Sequence, residues 1–477
     1  MKKILVIMAI AISISMLMSP VAFASLNNSA TPNSNNFLYY PQNYRIQVSP
    51  DTVIPDALPF CRASSGLTLI CYTPTYLRSA YNFPSSLDGT GQTILIVDAF
   101  GSPTVTNDLA VFDQRFGIQA PPSFTILCPT EGCPVSDFSD THHDEIGWAF
   151  ETSLDVQYAH AMAPGANIVL VVASTSSGNA INVAEANAIS LYPGSIMSQS
   201  FGIPEFLLHG NNGQVDQAVK NYVAAQAAGI TVFASAGDTG ATNGGPFANA
   251  LFPASDPLNT AVAGTEGNPY IAPGTVSSCA AGATCSAGLA SVTGPCNSGR
   301  AFGMPRCTPA GYGGEQVWNE AVFNPGATTG GAPSLMFGVP SFQAGVTYNG
   351  AALTSRNTAD VAYNAAINGG VLVFTSFLGF NAFFFVGGTS AGSPQWAAIG
   401  ALANQAAGRA LGTLNPAIYK IAGNPTLYAN DFHDITVGNN VMTGTSAGFN
   451  AATGWDPATG WGTPNVANLI PDLVANA

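Results

Sequence analysis

Ser390 is the residue of this 477-residue chain whose surroundings best suit a nucleophile. It lies in the glycine-rich run Gly387–Pro394, after the apolar run Phe383–Val386 and before an alanine-rich stretch. This order predicts a strand, a tight turn and a helix that begins near Ser390. Free backbone N–H groups at a helix N-terminus would stabilise an alkoxide or an oxyanion. Because an N-cap serine gives the same local pattern, the interpretation depends on other residues.

Two carboxylates, Glu151 and Asp155, stand four residues apart in a segment with helical spacing that ends at Pro164-Gly165. At this spacing both side chains lie on one helix face, where like charges repel unless a proton or a ligand intervenes. No Lys or Arg occurs from residue 116 to residue 219, so a basic neighbour in sequence does not neutralise them. A solvated acidic face is the alternative interpretation.

A third carboxylate, Asp238, follows the apolar run Thr231–Ala234 and precedes a glycine loop. The run predicts a buried strand, and open α/β sheets place their chemistry at such strand ends. Read alone, an Asp-x-Gly segment is more typical of a turn.

A serine and a carboxylate base together suit hydrolysis in acid. A serine hydroxyl attacks well only when a base takes its proton, and a good base has a pKa near the working pH. A carboxyl group with a pKa of about 4 meets this condition in acid, where a histidine with a pKa of about 6.5 is almost fully protonated. A protonated Asp238 could donate a hydrogen bond to an oxyanion and would lose this ability as the pH rises.

These residues resemble the sedolisin family of serine-carboxyl peptidases, which are relatives of the subtilisins. The resemblance covers about 400 residues and includes Thr73–Asn82, Ile94–Asp98, Ser200–Gly202, Val317–Glu320 and Gly460–Asn465. It implies an α/β fold of the subtilisin type and an enzyme that cleaves proteins or peptides. It also implies four roles: Ser390 as nucleophile, Glu151 as general base and acid, Asp155 as the group that orients Glu151, and Asp238 as oxyanion-hole donor.

The resemblance extends to a calcium site near the C-terminus. Calcium prefers carboxylate and carbonyl oxygens on tight glycine loops, and two segments after residue 433 supply both. The resemblance implies one structural Ca²⁺ held by the side chains of Asp434 and Asp456 and by the carbonyls of Ile435, Ala452 and Gly454. Turn chemistry is the alternative interpretation of these segments.

Two other functions remain open. Asp98 ends an apolar strand, His142 and His143 follow it, and Ser390 comes last, which is the chain order of a subtilisin-type Asp/His/Ser peptidase. The histidines lack the glycine-flanked pattern of subtilisins, and Asp238 stands where subtilisins have an asparagine. A catalytically inactive secreted binding or surface protein on the same fold is the second alternative.

Composition and the N-terminus predict an exported protein. The chain has 26 acidic and 12 basic residues, so its formal charge is −14 at pH 7, and no basic cluster suggests nucleic-acid binding. Residues 1–24 have the lysines, the short apolar stretch and the Ala-Phe-Ala site of a signal peptide. We therefore expect an extracellular protein, a monomer, with no stable membrane anchor.

The eight cysteines predict disulfide bonds, as is usual in exported chains. Their grouping favours the pairs Cys61–Cys71 and Cys128–Cys133, with the last four paired among themselves at positions 279, 285, 296 and 307. Zinc binding by these four is the less favoured alternative, since no Cys-x-x-Cys pair or nearby histidine occurs there.

The order of predicted elements indicates one large catalytic unit. Strands and helices alternate from about residue 75 to residue 235, which predicts a doubly wound, mostly parallel sheet with helices on both faces. We expect a peptidase domain over residues 71–477, preceded by a short polar leader or vestigial propeptide over residues 25–70. Sedolisins commonly carry a much longer pro-domain.

Overall fold

The structure is a computed structural model that describes most of the chain after residue 36. The described residues are 37–49, 60–66, 68–130, 132–134, 138, 144–208, 212–267, 286–287, 290–291, 296–301, 304–307, 311–321, 324 and 326–477. The predicted signal peptide, the two histidines at positions 142 and 143, and the cysteines at 279 and 285 lie outside these residues.

Strands and helices alternate along the described chain. The strands are β1 Tyr40–Pro41, β2 Tyr44–Gln47, β3 Phe60–Arg62, β4 Thr68–Tyr72, β5 Thr93–Ala99, β6 Phe124–Leu127, β7 Asn167–Ala173, β8 Ile196–Gln199, β9 Phe201–Pro204, β10 Thr231–Ser235, β11 Leu251–Phe252, β12 Asn259–Gly267, β13 Ser286–Ala287, β14 Ala290–Ser291, β15 Cys296–Ala301, β16 Met304–Cys307, β17 Glu315–Val317, β18 Thr347–Tyr348, β19 Ala351–Ala352, β20 Val361–Asn364, β21 Gly370–Thr375, β22 Ala382–Gly387, β23 Phe432–His433 and β24 Thr463–Pro464. The helices are α1 Pro74–Ala80, α2 Val105–Phe116, α3 Glu145–Met162, α4 Gly178–Leu191, α5 Asn212–Ala227, α6 Gly392–Ala407, α7 Asn415–Ala422, α8 Pro425–Asp431 and α9 Val466–Asn476.

The central sheet has eight strands and is parallel except at β17. Its order is β17-β12-β10-β8-β5-β7-β6, and β20 pairs with β12 as well. The inner strands β5, β7 and β10 are mostly apolar and buried, as expected where both faces of a parallel sheet are covered. On β5, Ile94 and Ile96 pack on one side, and Leu95 and Val97 pack on the other. The predicted doubly wound α/β fold is therefore confirmed.

Different helices cover the two faces. The side of Ile94 and Ile96 packs against α2, α3, α6 and α9, and the side of Leu95 and Val97 packs against α4 and α5. In α4 and α5, apolar residues such as Ile181 and Tyr222 are buried against the sheet, and their burial removes apolar surface from water. Because these strands are parallel, their carboxyl ends lie together at one edge of the sheet.

A second sheet carries the serine turn and includes N-terminal residues. It has five strands in the order β2-β22-β21-β4-β3. Strand β2 pairs antiparallel with β22, with Tyr44 opposite Gly387, and β4 pairs parallel with β21. The division of the chain at residue 71 stays a prediction, but β4 runs across that position and β2 is hydrogen-bonded to the strand that precedes Ser390.

Two disulfides occur in the described residues. Cys61 on β3 is bonded to Cys71 on β4 with a Cα–Cα distance of 5.8 Å, and Cys128 is bonded to Cys133. Both pairs confirm the prediction from cysteine grouping. The Cα atoms of Cys296 and Cys307 are paired across the antiparallel strands β15 and β16.

Among the described residues, every helix is too short or too polar to cross a membrane.

Candidate active site

Ser390 lies in a single 3-10 turn, Thr389–Ala391, between β22 and α6. The strand, turn and helix agree with the local structure predicted from sequence. Gly388 has φ 120°, a conformation that residues with a Cβ rarely adopt, and it allows the chain to turn sharply into the helix. The Ser390 side chain is fully buried, and its hydroxyl donates to the carbonyl oxygen of Ser200 at 3.2 Å.

Glu151 and Asp155 lie one turn apart on α3, and both side chains are fully buried. A solvated acidic face is therefore excluded. Glu151 Oε2 accepts a hydrogen bond from Asn43 Nδ2 at 2.5 Å. Within the described part of the chain, Glu151 Oε1 has no hydrogen-bond partner. The Ser390 hydroxyl lies close enough to lower the Glu151 pKa, although it donates its own hydrogen bond to Ser200.

Asp98, at the end of β5, joins these carboxyls in one buried cluster. Burial raises the pKa of Glu151 well above its usual range, and the charge of Asp155 raises it further. Burial likewise raises the pKa of Asp155, to which the charge of Asp98 adds, and the pKa of Asp98, to which Glu151 adds. Because like charges in a dry site repel each other, the cluster holds protons that exposed carboxyls would release.

Asp238 lies just after β10, within the same site. Its Oδ1 accepts hydrogen bonds from Thr389 N and Thr389 Oγ1, both at 2.8 Å. Oδ2 has no hydrogen-bond partner among the described residues. Burial raises the Asp238 pKa to about 7, although the Thr389 hydrogen bonds lower it in part. With Oδ1 occupied as an acceptor, a proton on Oδ2 would leave Asp238 as a hydrogen-bond donor.

Arg45 supplies positive charge beside the acidic cluster. Its Nη1 donates to Asn43 Oδ1 at 3.0 Å, and its guanidinium carbon lies 4.7 Å from the centre of the Phe150 ring. Burial lowers the Arg45 pKa, while the charges of Asp144 and Glu151 raise it. The pair Asn43 and Arg45 therefore connects the N-terminal strand to Glu151.

The structure brings together all four residues predicted for catalysis, whose roles stay predictions. Sequence reasoning missed Asn43, because residues 25–70 were assigned to a leader, and it missed Ser200 as the acceptor for Ser390. The sequence suggests a role for Asp98 only in a histidine triad, whereas the structure places it close to Glu151 and Asp155. Its position at the end of an apolar strand was the available signal.

The predicted calcium ligands lie around one C-terminal loop. Asp434 Oδ2 accepts a hydrogen bond from Gly454 N at 3.0 Å, and Asp456 Oδ2 accepts one from Ala452 N at 3.0 Å. Two carboxylates and the carbonyls of this loop are the oxygen donors that calcium prefers, so the residues fit the ion in kind. Among the described residues, His, Cys, Asp and Glu side chains nowhere form a group of three that could hold a metal.

Comparison with known proteins finds a relative of this chain. Over 415 residues, the chain is 31% identical to kumamolisin from Bacillus sp. strain MN-32, a match that covers 85% of this chain. The resemblance to the sedolisin family is confirmed. The chain spans 64% of the length of that sedolisin relative. No protein-family model matches the chain.

The sedolisin fold is also found by comparison with solved structures. The chain matches Pseudomonas sedolisin, a serine-carboxyl proteinase solved in complex with two molecules of pseudo-iodotyrostatin, with a TM-score of 0.67 and 24% sequence identity. The match covers 86% of this chain and 99% of that one. This likeness establishes that the fold is that of a sedolisin.

Proposed function

We propose that the chain is an acid-acting serine-carboxyl endopeptidase that cleaves proteins or peptides through an acyl-enzyme on Ser390. The observation that carries the proposal is the burial of Ser390 beside Glu151, whose Oε1 lacks a hydrogen-bond partner in the described part of the chain. A serine hydroxyl and an unpartnered carboxylate oxygen are the two groups that base-assisted attack needs.

In this mechanism Glu151 moves a proton twice while the peptide bond is broken. Ionised Glu151 takes the Ser390 proton as Oγ attacks the substrate carbonyl carbon, and it then gives this proton to the leaving amine. Asp155, one helical turn away, is the positioning group that keeps Glu151 oriented and raises its proton affinity. The raised pKa makes ionised Glu151 a stronger base than an exposed glutamate, and it also lowers the fraction of Glu151 that is ionised in acid.

Asp238 is the proposed oxyanion-hole donor. The tetrahedral intermediate places a negative charge on the substrate oxygen, and a donor already oriented toward it stabilises that charge. Asp238 can donate only when protonated, which its pKa of about 7 permits in acid. No histidine is needed in this scheme.

The test is hydrolysis of an unfolded protein substrate from pH 2 to pH 8 by the parent, Glu151→Gln and Ser390→Ala. We expect an acidic optimum that both substitutions abolish, with a loss of at least about a thousandfold, which is the scale set by removal of a catalytic-triad member. Asp216→Asn, which changes an exposed carboxyl on α5, is the matched control and should retain full activity.

Other outcomes identify the alternatives. Activity that peaks near neutrality and survives Glu151→Gln would favour a subtilisin-type base, which substitution of His142 and of His143 would then locate. A folded parent chain with no activity at any pH, with or without removal of its N-terminal segment, would favour a binding or surface protein.

We also propose that one Ca²⁺ binds at the C-terminal loop, held by Asp434 and Asp456 through their side chains and by Ile435, Ala452 and Gly454 through their carbonyls. A bound ion would neutralise two adjacent carboxylates and fix the loop. Calcium at a hundred times its dissociation constant should stabilise the chain by about 2.7 kcal/mol, measured as a rise in Tm over chelator-treated protein. Asp434→Asn should abolish most of the rise. An unchanged Tm on adding Ca²⁺ to the parent would refute the site.

We propose that the protein acts outside the cell. The two disulfides support this, because such bonds persist in oxidising compartments. The signal peptide predicted over residues 1–24 is consistent with export. Its removal can be checked by the N-terminal sequence of protein recovered from the culture medium.

A further inference from the structure

Residues 37–42 lie extended between two segments at the candidate active site, and they mark a path that a bound peptide can follow. On one side, Tyr39 N donates to Ser176 O at 2.8 Å and Phe37 O accepts from Gly178 N at 2.9 Å. On the other side, β1 pairs antiparallel with β9. Main-chain hydrogen bonds to an extended strand are a general way to bind polypeptide.

This path has a direction. Gln42 N donates to the carbonyl oxygen of Ser200 at 3.3 Å, and the Ser390 hydroxyl donates to the same oxygen, so the C-terminal end of the segment lies at the proposed nucleophile. Because β9 is antiparallel to the segment, it leads away from Ser390 and continues into the short helical turn Glu205–Leu208. The N-terminal part of a peptide on this path therefore leaves the site beside Phe206.

Exposed apolar side chains cluster where the path leaves the site. The ring centres of Phe206 and Phe247 are 6.3 Å apart, and Glu205 Oε2 accepts a hydrogen bond from Leu335 N at 2.5 Å. Phe247 is 48% exposed, Leu335 is 47% exposed and Met336 is 39% exposed. Large apolar side chains that are exposed together commonly mark an interaction site. We call Phe206, Phe247, Leu335 and Met336 the apolar patch.

A buried carboxylate holds part of the apolar patch in its exposed position. Glu205 Oε1 accepts from Ser334 Oγ at 2.7 Å, and Ser334 Oγ accepts in turn from Met336 N at 3.0 Å and from Phe337 N at 2.9 Å. These bonds fix the backbone of the loop, while the side chains of Leu335 and Met336 stay exposed. Because the loop is already ordered, less entropy is lost when a partner binds.

An aromatic stack connects the peptide path to the apolar patch. The ring centre of Tyr39 lies 6.5 Å from that of Phe252, which lies 6.4 Å from that of Phe337, and both pairs are stacked. Phe337 follows Met336 directly in the loop. The apolar patch therefore continues the apolar surface on which residues 37–42 lie, and a peptide on the path can reach it without crossing a polar surface.

The apolar patch carries no charge. The segments 206–207, 246–248 and 335–340 contain only uncharged residues, and the neighbouring Glu205 is buried. A charged partner would gain no ion pair here, whereas an apolar partner would lose unfavourable contact with water. Acid unfolds many proteins by protonating carboxylates that are paired in the native state, and unfolding exposes their apolar segments. Substrates of an acid-acting peptidase would thus present apolar segments.

We propose that the apolar patch is an exosite that binds apolar segments of unfolded protein substrates, on the N-terminal side of the residues that fill the peptide path. The proposal rests on the proposed function, because it assigns a second contact to substrates of the same nucleophile. It adds a substrate class, namely polypeptides with an apolar stretch several residues before the bond that is cut. Because this contact is remote from Ser390, it should lower KM and leave kcat nearly unchanged.

The experiment compares three peptides that share one ten-residue sequence, taken from around a bond that the enzyme cuts in an unfolded protein. The first carries Leu-Phe-Gly-Leu-Phe-Gly at its N-terminus, the second carries Ser-Asn-Gly-Ser-Asn-Gly there, and the third carries the apolar extension at its C-terminus. We expect kcat/KM for the first to exceed that for the second at least about tenfold, mainly through KM, since burial of one large apolar side chain accounts for this factor. The third peptide should show no such gain.

The double variant Leu335→Ser/Met336→Ser tests the apolar patch itself. Val223→Ser is the matched control, because Val223 on α5 is also apolar, is 53% exposed and lies outside the patch. The readout is the ratio of kcat/KM for the first peptide to that for the second, in which a general loss of activity cancels. The ratio should fall to within about twofold of one in the double variant and stay at its parent value in the control. Melting curves confirm that both variants are folded.

The remaining outcomes separate this proposal from the proposed function. An unchanged ratio in the double variant, or an equal gain from the C-terminal extension, would overturn the exosite and leave the proposed function standing. A parent dimer that the double substitution converts to a monomer, measured by sedimentation equilibrium, would assign the apolar patch to a second copy of the chain and also overturn it.

A parent that cuts no unfolded protein at any pH would reject the proposed function itself. Fluorescence anisotropy of the two dye-labelled N-terminal extensions then tests the apolar patch without catalysis. Ser390→Ala should bind the apolar extension more tightly than the polar one, and adding Leu335→Ser/Met336→Ser should remove the difference. Equal binding of both extensions by Ser390→Ala would overturn the proposal.

Discussion

Asp238 has two oxygens in different surroundings. Oδ1 accepts two hydrogen bonds from Thr389, whereas Oδ2 has no partner within the described chain. An asparagine could make the same interactions on both sides. Its side-chain oxygen could accept the hydrogen bonds from Thr389, and its amide N–H₂ could donate to the substrate oxygen. The difference is that the amide keeps its hydrogens at every pH, whereas the carboxyl loses its proton near its pKa of about 7.

We therefore expect Asp238→Asn to retain activity within about tenfold in acid and to lose less activity than the parent as the pH rises through 7. Asp238→Ala should lose about a hundredfold to a thousandfold in acid, as removal of an oxyanion donor does, and its deficit relative to the parent should shrink as the pH rises through 7. Profiles of kcat/KM against pH for the three proteins check this. If Asn and Ala variants behave alike, Asp238 does not act as a donor.

At the scale of elements, β22, the turn and α6 form a unit that depends on Gly388. Its φ of 120° is strained for residues with a side chain, and a Cβ would stand 2.4 Å from Asp238 Oδ2. Only glycine, which has no Cβ, fits this position of the turn. The close approach of Asp238 to the backbone before Ser390 is the reason.

Gly388→Ala should lower kcat/KM at least tenfold, because the methyl group displaces Asp238 and the backbone conformation at φ 120° adds about 1–3 kcal/mol of strain. Gly213→Ala on α5 is the matched control, since a Cβ there meets no atom within 4 Å and φ is not in the left-handed region. The control should keep full activity and gain up to about 1 kcal/mol in stability. Equal activity of both variants would contradict this account of the turn.

Elements with local signals could be predicted from sequence, and those that depend on distant pairing could not. Apolar runs and glycines indicated β22 and its turn, and helical spacing indicated α3 as the carrier of Glu151 and Asp155. Strand β2 gave no comparable signal, because its pairing with β22 joins segments from opposite ends of the chain. Asn43 reaches Glu151 across 108 positions, a contact that no local pattern contains.

For the whole molecule, buried carboxyls couple folding to pH. Burial raises the pKa of Asp238 and Glu185 to about 7, of Asp256 to about 6 and of Glu266 to about 8. In the unfolded chain such groups ionise near pH 4. Between about pH 4 and pH 8 the folded state therefore holds more protons than the unfolded state, so the free energy of unfolding falls as the pH rises.

We expect the chain to be most stable near or below pH 4 and to lose on the order of a few kcal/mol by pH 7 from Asp238 alone. Urea unfolding of Ser390→Ala from pH 3 to pH 8 measures this without self-digestion. Adding Asp238→Asn should flatten the dependence, because the amide does not titrate. A stability that rises between pH 4 and pH 7 would contradict the prediction.

Tyr39 has a consequence for selectivity among substrates. Its ring is 1% exposed and lies 4.8 Å from the Phe201 ring centre and 6.5 Å from that of Phe252. A peptide substrate that lay along the same strands in place of residues 37–42 would put one of its side chains in the aromatic recess that Tyr39 occupies. Peptides with phenylalanine or tyrosine there should have a higher kcat/KM than those with aspartate. The difference in activation free energy should be about 1.5–3 kcal/mol, the value of burying one large apolar side chain. The enzyme would then choose its substrates by a side chain well away from the bond it breaks.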